Sequence, residues 1–272
     1  MMANFDISGK VAVVTGAAGI LCSEISEKLA EQGVKVAILD IDLEGAKKVA
    51  EKINKKGGTA KAFKTNVLDK ENLKEVKNSV IEEFGTIDIL INGAGGNKDE
   101  ATTDENISFF DLPEDAIKWV FNLNFLGTVL TSQVFGKEMA QNEKGTIINI
   151  SSMAAIKPLT RTIAYSGAKA AVSNFTQWLA VHLNQNYSEQ IRVNAIAPGF
   201  LLTEQNRYLL IDEETGEETK RGQKIKDNTP MNRYGRPEEL VGAIIYLASD
   251  AASFVNGIIL PIDGGFDAFS GV

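Results

Sequence analysis

In the run Ala164-Tyr165-Ser166-Gly167-Ala168-Lys169 a phenol and an ammonium stand four residues apart, so on a helix they share one face. A tyrosine with its ordinary pKa near ~10 is a poor proton donor or acceptor at neutral pH. A nearby cation favours the phenolate, and that would suit Tyr165 to general acid–base work. Ser152 lies 13 residues before Tyr165, at the end of a strand-like run over 145–152. There its hydroxyl could meet the phenol at one substrate oxygen. The same Tyr-x-x-x-Lys spacing also arises as decoration on a helix surface, so the trio names a chemistry whose remaining parts must be found elsewhere in the chain.

Val11-Ala12-Val13-Val14 leads into Thr15-Gly16-Ala17-Ala18-Gly19, and an apolar helical period follows through Ile25 and Leu29 to Gly33. Strand, glycine turn and helix start form the arrangement whose backbone N–H groups and helix dipole receive a pyrophosphate, with Gly16 and Gly19 bringing the backbone close. A second strand, Val36-Ala37-Ile38-Leu39-Asp40, ends in a carboxylate 24 residues after Gly16. An acidic residue in that place holds an adenosine ribose. It would repel the 2′-phosphate of NADP, and Ala17, Ala18, Gly19 and Ile41 bring no cation to offset this. NAD is therefore the expected cofactor.

The elements that must carry these groups follow one rhythm. Third and fourth strands are expected over 61–67 and 87–95, with a helix through Leu73, Val76, Val80 and Phe84 between them. A polar stretch over 96–111 is long for a connection and is expected along the mouth of the site. A helix through Ile117, Val120, Phe121 and Asn124 continues towards Val134 and Met139. After the strand ending at Ser152 comes the Tyr165 helix, running to about Leu183. A sixth strand over 190–197 is closed by Pro198-Gly199, and a last one covers 258–263 after a helix through Leu240, Ile244 and Leu247. The charged segment 200–236 reads as a lid over the substrate or as an insertion with no role. Alternating strands and helices without a linker indicate one α/β domain over 1–272.

Composition narrows the function classes. Lys and Arg number 28 against 36 Asp and Glu, a net charge of −8 with no basic run, which argues against nucleic acid or an anionic membrane as partner. No stretch approaches the ~20 apolar residues of a membrane span. The N-terminus lacks the cationic start and apolar core of a signal peptide, so a cytoplasmic protein is expected. Cys22 is the single cysteine and His182 the single histidine. No intrachain disulfide or thiolate metal site can be assembled, and a Ser-His-Asp hydrolase is set aside. His182 falls in a helical apolar pattern and reads as a packed or partner-facing residue.

Thr15-Gly16, Asp40, Asn92-Gly93-Ala94-Gly95, Asn124, Ser152, Tyr165-x-x-x-Lys169, Pro198-Gly199 and Asp263-Gly264-Gly265 together resemble the short-chain dehydrogenase/reductases over nearly the whole chain. The resemblance implies a doubly wound Rossmann-type fold with about seven parallel strands and helices on both faces. It implies Tyr165 as acid–base residue and Ser152 as the group orienting the substrate oxygen. Lys169 would lower the tyrosine pKa and bind the nicotinamide ribose, and Asn124 would hold a water linking Lys169 to solvent. Asn92, Gly93 and Ala94 would line the cofactor, with Pro198 and Thr203 on its nicotinamide or phosphate side and Asn66 and Val67 at the adenine. No metal is implied.

Two positions depart from the family pattern. Ile20 and Cys22 stand where the second and third glycines of the pyrophosphate turn belong, so Ile20 would contact the cofactor through its backbone. Asn66 replaces the usual aspartate, and its amide oxygen would accept the same hydrogen bond without charge. A closer resemblance, carried by 93–97, 101–104, 174–179, 200–207 and 264–272, is to the D-mannonate oxidoreductases (fructuronate reductases) of that family. It implies a sugar-acid substrate whose carboxylate wants a cation, with Lys98, Lys157, Arg161 and Arg207 as candidates. The alternatives are a gluconate 5-dehydrogenase, another polyol or 3-oxoacyl reductase, and a non-catalytic dinucleotide sensor. A homotetramer suits the small and apolar residues over 168–183 and the apolar C-terminal strand and tail.

Overall fold

Segments such as Val11-Ala12-Val13-Val14 and Ile89-Leu90-Ile91 are apolar at every position, which fits strands covered on both faces. The computed structural model describes residues 4–204 and 206–271, so Met1 to Ala3, Gln205 of the 200–207 stretch and Val272 of the terminal stretch lie outside the described residues. The strands are β1 (Val11–Thr15), β2 (Lys35–Asp40), β3 (Thr59–Lys64), β4 (Ile89–Asn92), β5 (Gly145–Ile150), β6 (Ile191–Pro198) and β7 (Ile259–Ile262). They form one sheet of seven strands in the order β3-β2-β1-β4-β5-β6-β7, and every pairing is parallel. The order reverses at β1, where Val14 pairs with Ile38 of β2 on one side and Ile91 of β4 on the other. A reversal of this kind opens a crevice beyond the carboxyl ends of the strands.

The helices are α1 (Ile20–Glu31), α2 (Leu43–Lys55), α3 (Lys70–Phe84), α4 (Glu114–Phe121), α5 (Gly127–Gln141), α6 (Ile163–Asn186), α7 (Arg207–Leu210), α8 (Lys220–Asp227) and α9 (Val241–Ala248). Alternate strand residues face opposite layers. Ala12, Val14, Ile89 and Ile91 pack with Ile25 and Leu29 of α1, Ile53 of α2 and Ile244 of α9. Val13, Leu90 and Ile147 pack on the other face with Leu73 of α3, Phe135 of α5 and Leu179 of α6. The doubly wound, seven-stranded expectation is what the chain adopts.

Several boundaries differ from the sequence reading. β3 ends at Lys64 and β5 at Ile150, so Asn66, Val67 and Ser152 sit in the turns that follow, where side chains reach the crevice. α1 begins at Ile20, well before Ile25. α2 is absent from the sequence reading although its signals are present: Asp42 Oδ1 caps it by accepting from Gly45 N at 3.1 Å, and Ala46, Ala50 and Ile53 recur on its buried face. Between α4 and α5 the helical pattern passes through a π-helical turn, Asn122–Leu126. Such turns are rare and re-aim side chains. Within 200–236, α7 and α8 bury Leu210 and Ile225, so much of this segment is folded.

Candidate active site

The crevice at the carboxyl ends of the strands is a cleft of about 690 Å³. Gly16, Gly19, Ile20, Asp40, Asn66, Val67, Gly93, Ala94, Ser152, Tyr165, Pro198 and Thr203 all line it. Asn92, Asn124 and Lys169, the other residues singled out by sequence, stand behind its wall.

At the β1–α1 turn Gly16 has φ of 65°, and a Cβ there would lie 2.8 Å from the Ala94 Cα. Only glycine allows the two turns to meet so closely. Gly19 caps α1 with extended backbone, and the first helical N–H to find an acceptor is that of Ser23, on the Gly19 carbonyl at 2.8 Å. The N–H groups before it, including that of Ile20, have no partner within the helix and form a cradle for an anion. Cys22 takes the place of a glycine by packing where Gly93 leaves room: a Cβ on Gly93 would lie 2.1 Å from its Sγ. Burial pushes the Cys22 thiol up to about 12, so it acts as a neutral packing atom.

Asp40 stands at the end of β2, where its Oδ2 accepts from Ala18 N and its Oδ1 from Asp42 N, each at 2.9 Å. These bonds aim the carboxylate and leave lone pairs for ribose hydroxyls. Asn66 lines the cleft in the turn after β3. Its Oδ1 accepts from Leu68 N at 3.0 Å, which leaves its second lone pair for the hydrogen bond expected from an adenine amine. Asn92 does not line the cleft as expected: its Nδ2 donates to Ser132 Oγ at 2.9 Å and to Asn149 Oδ1 at 2.8 Å, which turns the side chain into the layer beneath β4. Thr15 was not singled out for its side chain, yet its Oγ1 accepts from Gly93 N at 3.1 Å and Ala94 N at 3.2 Å and so fixes the glycine turn. A hydroxyl at the end of a first strand was the available signal.

Tyr165 lies in the first turn of α6 and faces Ser152 beyond β5. Ser152 Oγ accepts from Ala154 N at 3.1 Å, leaving its proton to donate. Lys169, one turn on, is buried; its Nζ donates to the Ile150 carbonyl at 2.8 Å and lies 5.6 Å from the centre of the Tyr165 ring. The expected lowering of the tyrosine pKa does not hold here. Burial pushes the Tyr165 phenol up, and the Ser152 hydroxyl pulls it partly back. Burial also pushes the Lys169 ammonium down to about 8, which leaves it mostly protonated at neutral pH.

Asn124 sits in the π-helical turn with no exposed surface. Its Nδ2 donates to the carbonyls of Gly96 and Val120, each at 2.7 Å, and its Oδ1 accepts from Gly96 N at 3.2 Å. It therefore holds the glycine turn from behind. A Cβ on Gly95 would lie 2.6 Å from Asn124 Oδ1 and 3.2 Å from Lys169 Nζ, so this turn closes over both. Ser151, missed by the sequence reading, ties β5 to α6 through Ser173 Oγ at 2.7 Å and the Lys169 carbonyl at 3.3 Å.

None of the four candidate cations lines the cleft itself. Lys157 Nζ is spent on the carbonyls of Phe269 at 3.0 Å and Phe266 at 3.4 Å, and Lys98 Nζ lies 4.5 Å over the Trp119 ring. Arg161 Nε donates to the Thr103 carbonyl at 2.6 Å, while Arg207 is exposed at the start of α7. His182 stacks on Trp178 with ring centres 4.7 Å apart, on the outer face of α6 and away from the cleft. Among the described residues no group of three His, Cys, Asp or Glu side chains could hold a metal ion, and no helix is long and apolar enough to cross a membrane.

A family model described as enoyl-(acyl carrier protein) reductase matches residues 16–267. Among solved structures, a candidate D-mannonate oxidoreductase from Haemophilus influenzae with bound NAD superposes with a TM-score of 0.93 at 52% identity, covering 99% of each chain. An uncharacterized oxidoreductase of Haemophilus influenzae is 53% identical over 99% of this chain and 97% of its own. One from Bacillus subtilis is 48% identical over 98% of both chains.

Proposed function

We propose, from the premise that this chain belongs to the short-chain dehydrogenase/reductase family of oxidoreductases, that it interconverts D-mannonate and D-fructuronate with NAD(H). The observation that carries this reading is the likeness, over 99% of both chains and at 52% identity, to a candidate D-mannonate oxidoreductase with bound NAD. The cleft supports it. Gly16, Gly19 and the free N–H groups at the start of α1 fit a pyrophosphate, and Asp40 fits a ribose whose 2′-hydroxyl carries no phosphate. A nicotinamide dinucleotide held there supplies or accepts a hydride.

This chain's residues handle the proton. Ser152 donates a hydrogen bond to the keto oxygen, and Tyr165 gives its phenolic proton to the same oxygen as the alcohol forms. In the other direction the phenolate takes the proton back. Lys169 donates to the Ile150 carbonyl and would bind the nicotinamide ribose. The segment 200–236, whose Leu201, Thr203 and Asn206 line the cleft, would serve as the wall that closes over substrate.

The reading includes a cytoplasmic homotetramer. An aromatic row runs from Phe121 through Phe125, Phe175 and Trp178 to His182 and Tyr187, with successive ring centres 4.7 to 6.3 Å apart. Trp178 and Tyr187 are more than half exposed, as is Val181 between them. An apolar face of this kind favours a second copy of the chain.

The test is NADH oxidation with D-fructuronate, 5-keto-D-gluconate and fructose. D-Fructuronate is expected to be turned over best. Equal rates with fructose, or preference for 5-keto-D-gluconate, would overturn the mannonate assignment.

A further inference from the structure

We infer that Lys157 is a positioning residue for the substrate: its ammonium pins the C-terminal segment 263–271 and through it ties Ser152 to the cleft wall over 198–206. The inference rests on the reading of the cleft as an oxidoreductase site, not on which keto compound it takes. Lys157 Nζ donates to the Phe269 carbonyl at 3.0 Å and to the Phe266 carbonyl at 3.4 Å, 112 and 109 residues further along the chain. The lysine is only partly exposed, and bonds from an ammonium are stronger than those between neutral groups.

Both ends of this tie reach the cleft through direct contacts. Ser152 lines the cleft and opens a short 3-10 turn, Met153–Ala155. Ala155 N donates to the Ser152 carbonyl at 3.0 Å and Lys157 N to the Met153 carbonyl at 2.9 Å, so Lys157 closes the turn that Ser152 begins. On the other side Gly199, also in the cleft lining, donates its N–H to the Ile262 carbonyl at 3.0 Å. A Cβ on Gly199 would lie 2.6 Å from the Asp263 Cα, so the corner after β6 and the start of the tail touch. The Phe200 ring meets the Phe266 ring edge-on, with centres 5.2 Å apart. Leu201 belongs both to the cleft and to a neighbouring cavity of about 400 Å³ lined by Asp263, Gly264 and Gly265.

The tail is shaped to receive the ammonium. Gly264 and Gly265 have φ of 65° and 89°, left-handed backbone that turns the chain back after β7. Asp263 holds that reversal: its Oδ1 accepts from Gly265 N at 2.9 Å and its Oδ2 from Asp267 N at 2.8 Å, while Phe269 N donates to the Gly265 carbonyl at 3.1 Å. The result is a closed turn whose Phe266 and Phe269 carbonyls meet one ammonium. Lys157 stood among the candidate cations for a substrate carboxylate. Its place in the structure gives it a task of shape instead of charge, and that task should matter equally for acid and neutral substrates.

The test uses full-length Lys157→Met, Lys157→Arg, Phe266→Ala and the double variant Lys157→Met with Phe266→Ala. Hydrogen exchange of the bonded amides of Gly265, Asp267 and Phe269 should speed up by roughly tenfold in Lys157→Met and be partly restored in Lys157→Arg. At saturating NADH the KM for D-fructuronate and for fructose should rise by a similar factor, roughly tenfold, while the KM for NADH stays within about twofold. A merely structural role would not give that split. The double variant should be little worse than the poorer single one, because both changes act through the tail. Native exchange rates in Lys157→Met overturn the tie, whatever the substrate, and unchanged KM for both compounds overturns the positioning role. A rise confined to D-fructuronate overturns it in favour of direct contact with the carboxylate. A wild-type enzyme that turns over neither compound overturns the sugar-acid reading, and the exchange measurement then decides the tie by itself.

Discussion

Asn124 and Gly96 hold each other reciprocally: the amide donates to the Gly96 carbonyl at 2.7 Å and accepts from the Gly96 N–H at 3.2 Å. One side chain thereby satisfies both backbone groups of a glycine in the turn after β4. The π-helical turn that carries Asn124 is what brings the amide within reach. Replacing Asn124 by Ala would leave these groups and the Val120 carbonyl unpaired, at a cost of about 1–3 kcal/mol each where they are buried. A lower thermal midpoint together with a lower kcat/KM is expected from unfolding and turnover measurements. Wild-type values for both would show that the turn is held by something else.

Tyr165→Phe deletes one oxygen and little volume. Turnover should fall by ~10²–10⁴, the usual worth of a positioned acid–base group. NADH affinity, measured by fluorescence titration, should change little because Gly16, Gly19 and Asp40 are untouched. A variant with undiminished kcat would exclude the phenol from proton transfer.

Asp40, proposed to select NAD over NADP, accepts from Ala18 N and Asp42 N. The native protein should prefer NADH to NADPH strongly in kcat/KM. Asp40→Ala should narrow that preference by tenfold or more, on the order of 1.4 kcal/mol or above. It should weaken NADH binding as well, since two backbone donors lose their acceptor. A native protein that used both cofactors equally would remove Asp40 from ribose recognition.

The burial of Lys169 makes stability depend on pH. Its ammonium lies at about 8 in the folded chain against an ordinary 10.5. Between these values the unfolded chain binds more protons, so stability rises with pH, and the benefit is lost as pH falls through about 8. The difference in unfolding free energy between wild type and Lys169→Met should therefore shift towards wild type by about 2 kcal/mol from pH about 7 to about 9.5. A constant difference would mean that the lysine is solvated in the folded chain.

Much of the fold could be read in advance because β1 and β4 are largely apolar runs bounded by glycines, as parallel strands buried on both faces tend to be. The overlooked α2 shows the opposite case. Only three apolar residues, Ala46, Ala50 and Ile53, mark its buried face amid lysines and glutamates. Asn66 lies in the turn after β3 and lines the cleft, while Asn92 is the last residue of β4 and stands behind it. The direction of each amide was not legible, because hydrogen bonds to Leu68, Ser132 and Asn149 set it.

The sequence by itself determined the family of chemistry: Ser152, Tyr165 and Lys169 at their spacing, a glycine turn after β1, and a carboxylate at the end of β2. These are local facts, since the spacing of residues along a helix or past a strand end follows from backbone geometry alone. Tertiary structure alone decided how charged each group would be and which would meet. Lys169 fell to about 8 and the Tyr165 phenol rose because the packing of the whole domain removes water from them. Desolvation depends on distances through space, and no local pattern of residue types encodes those.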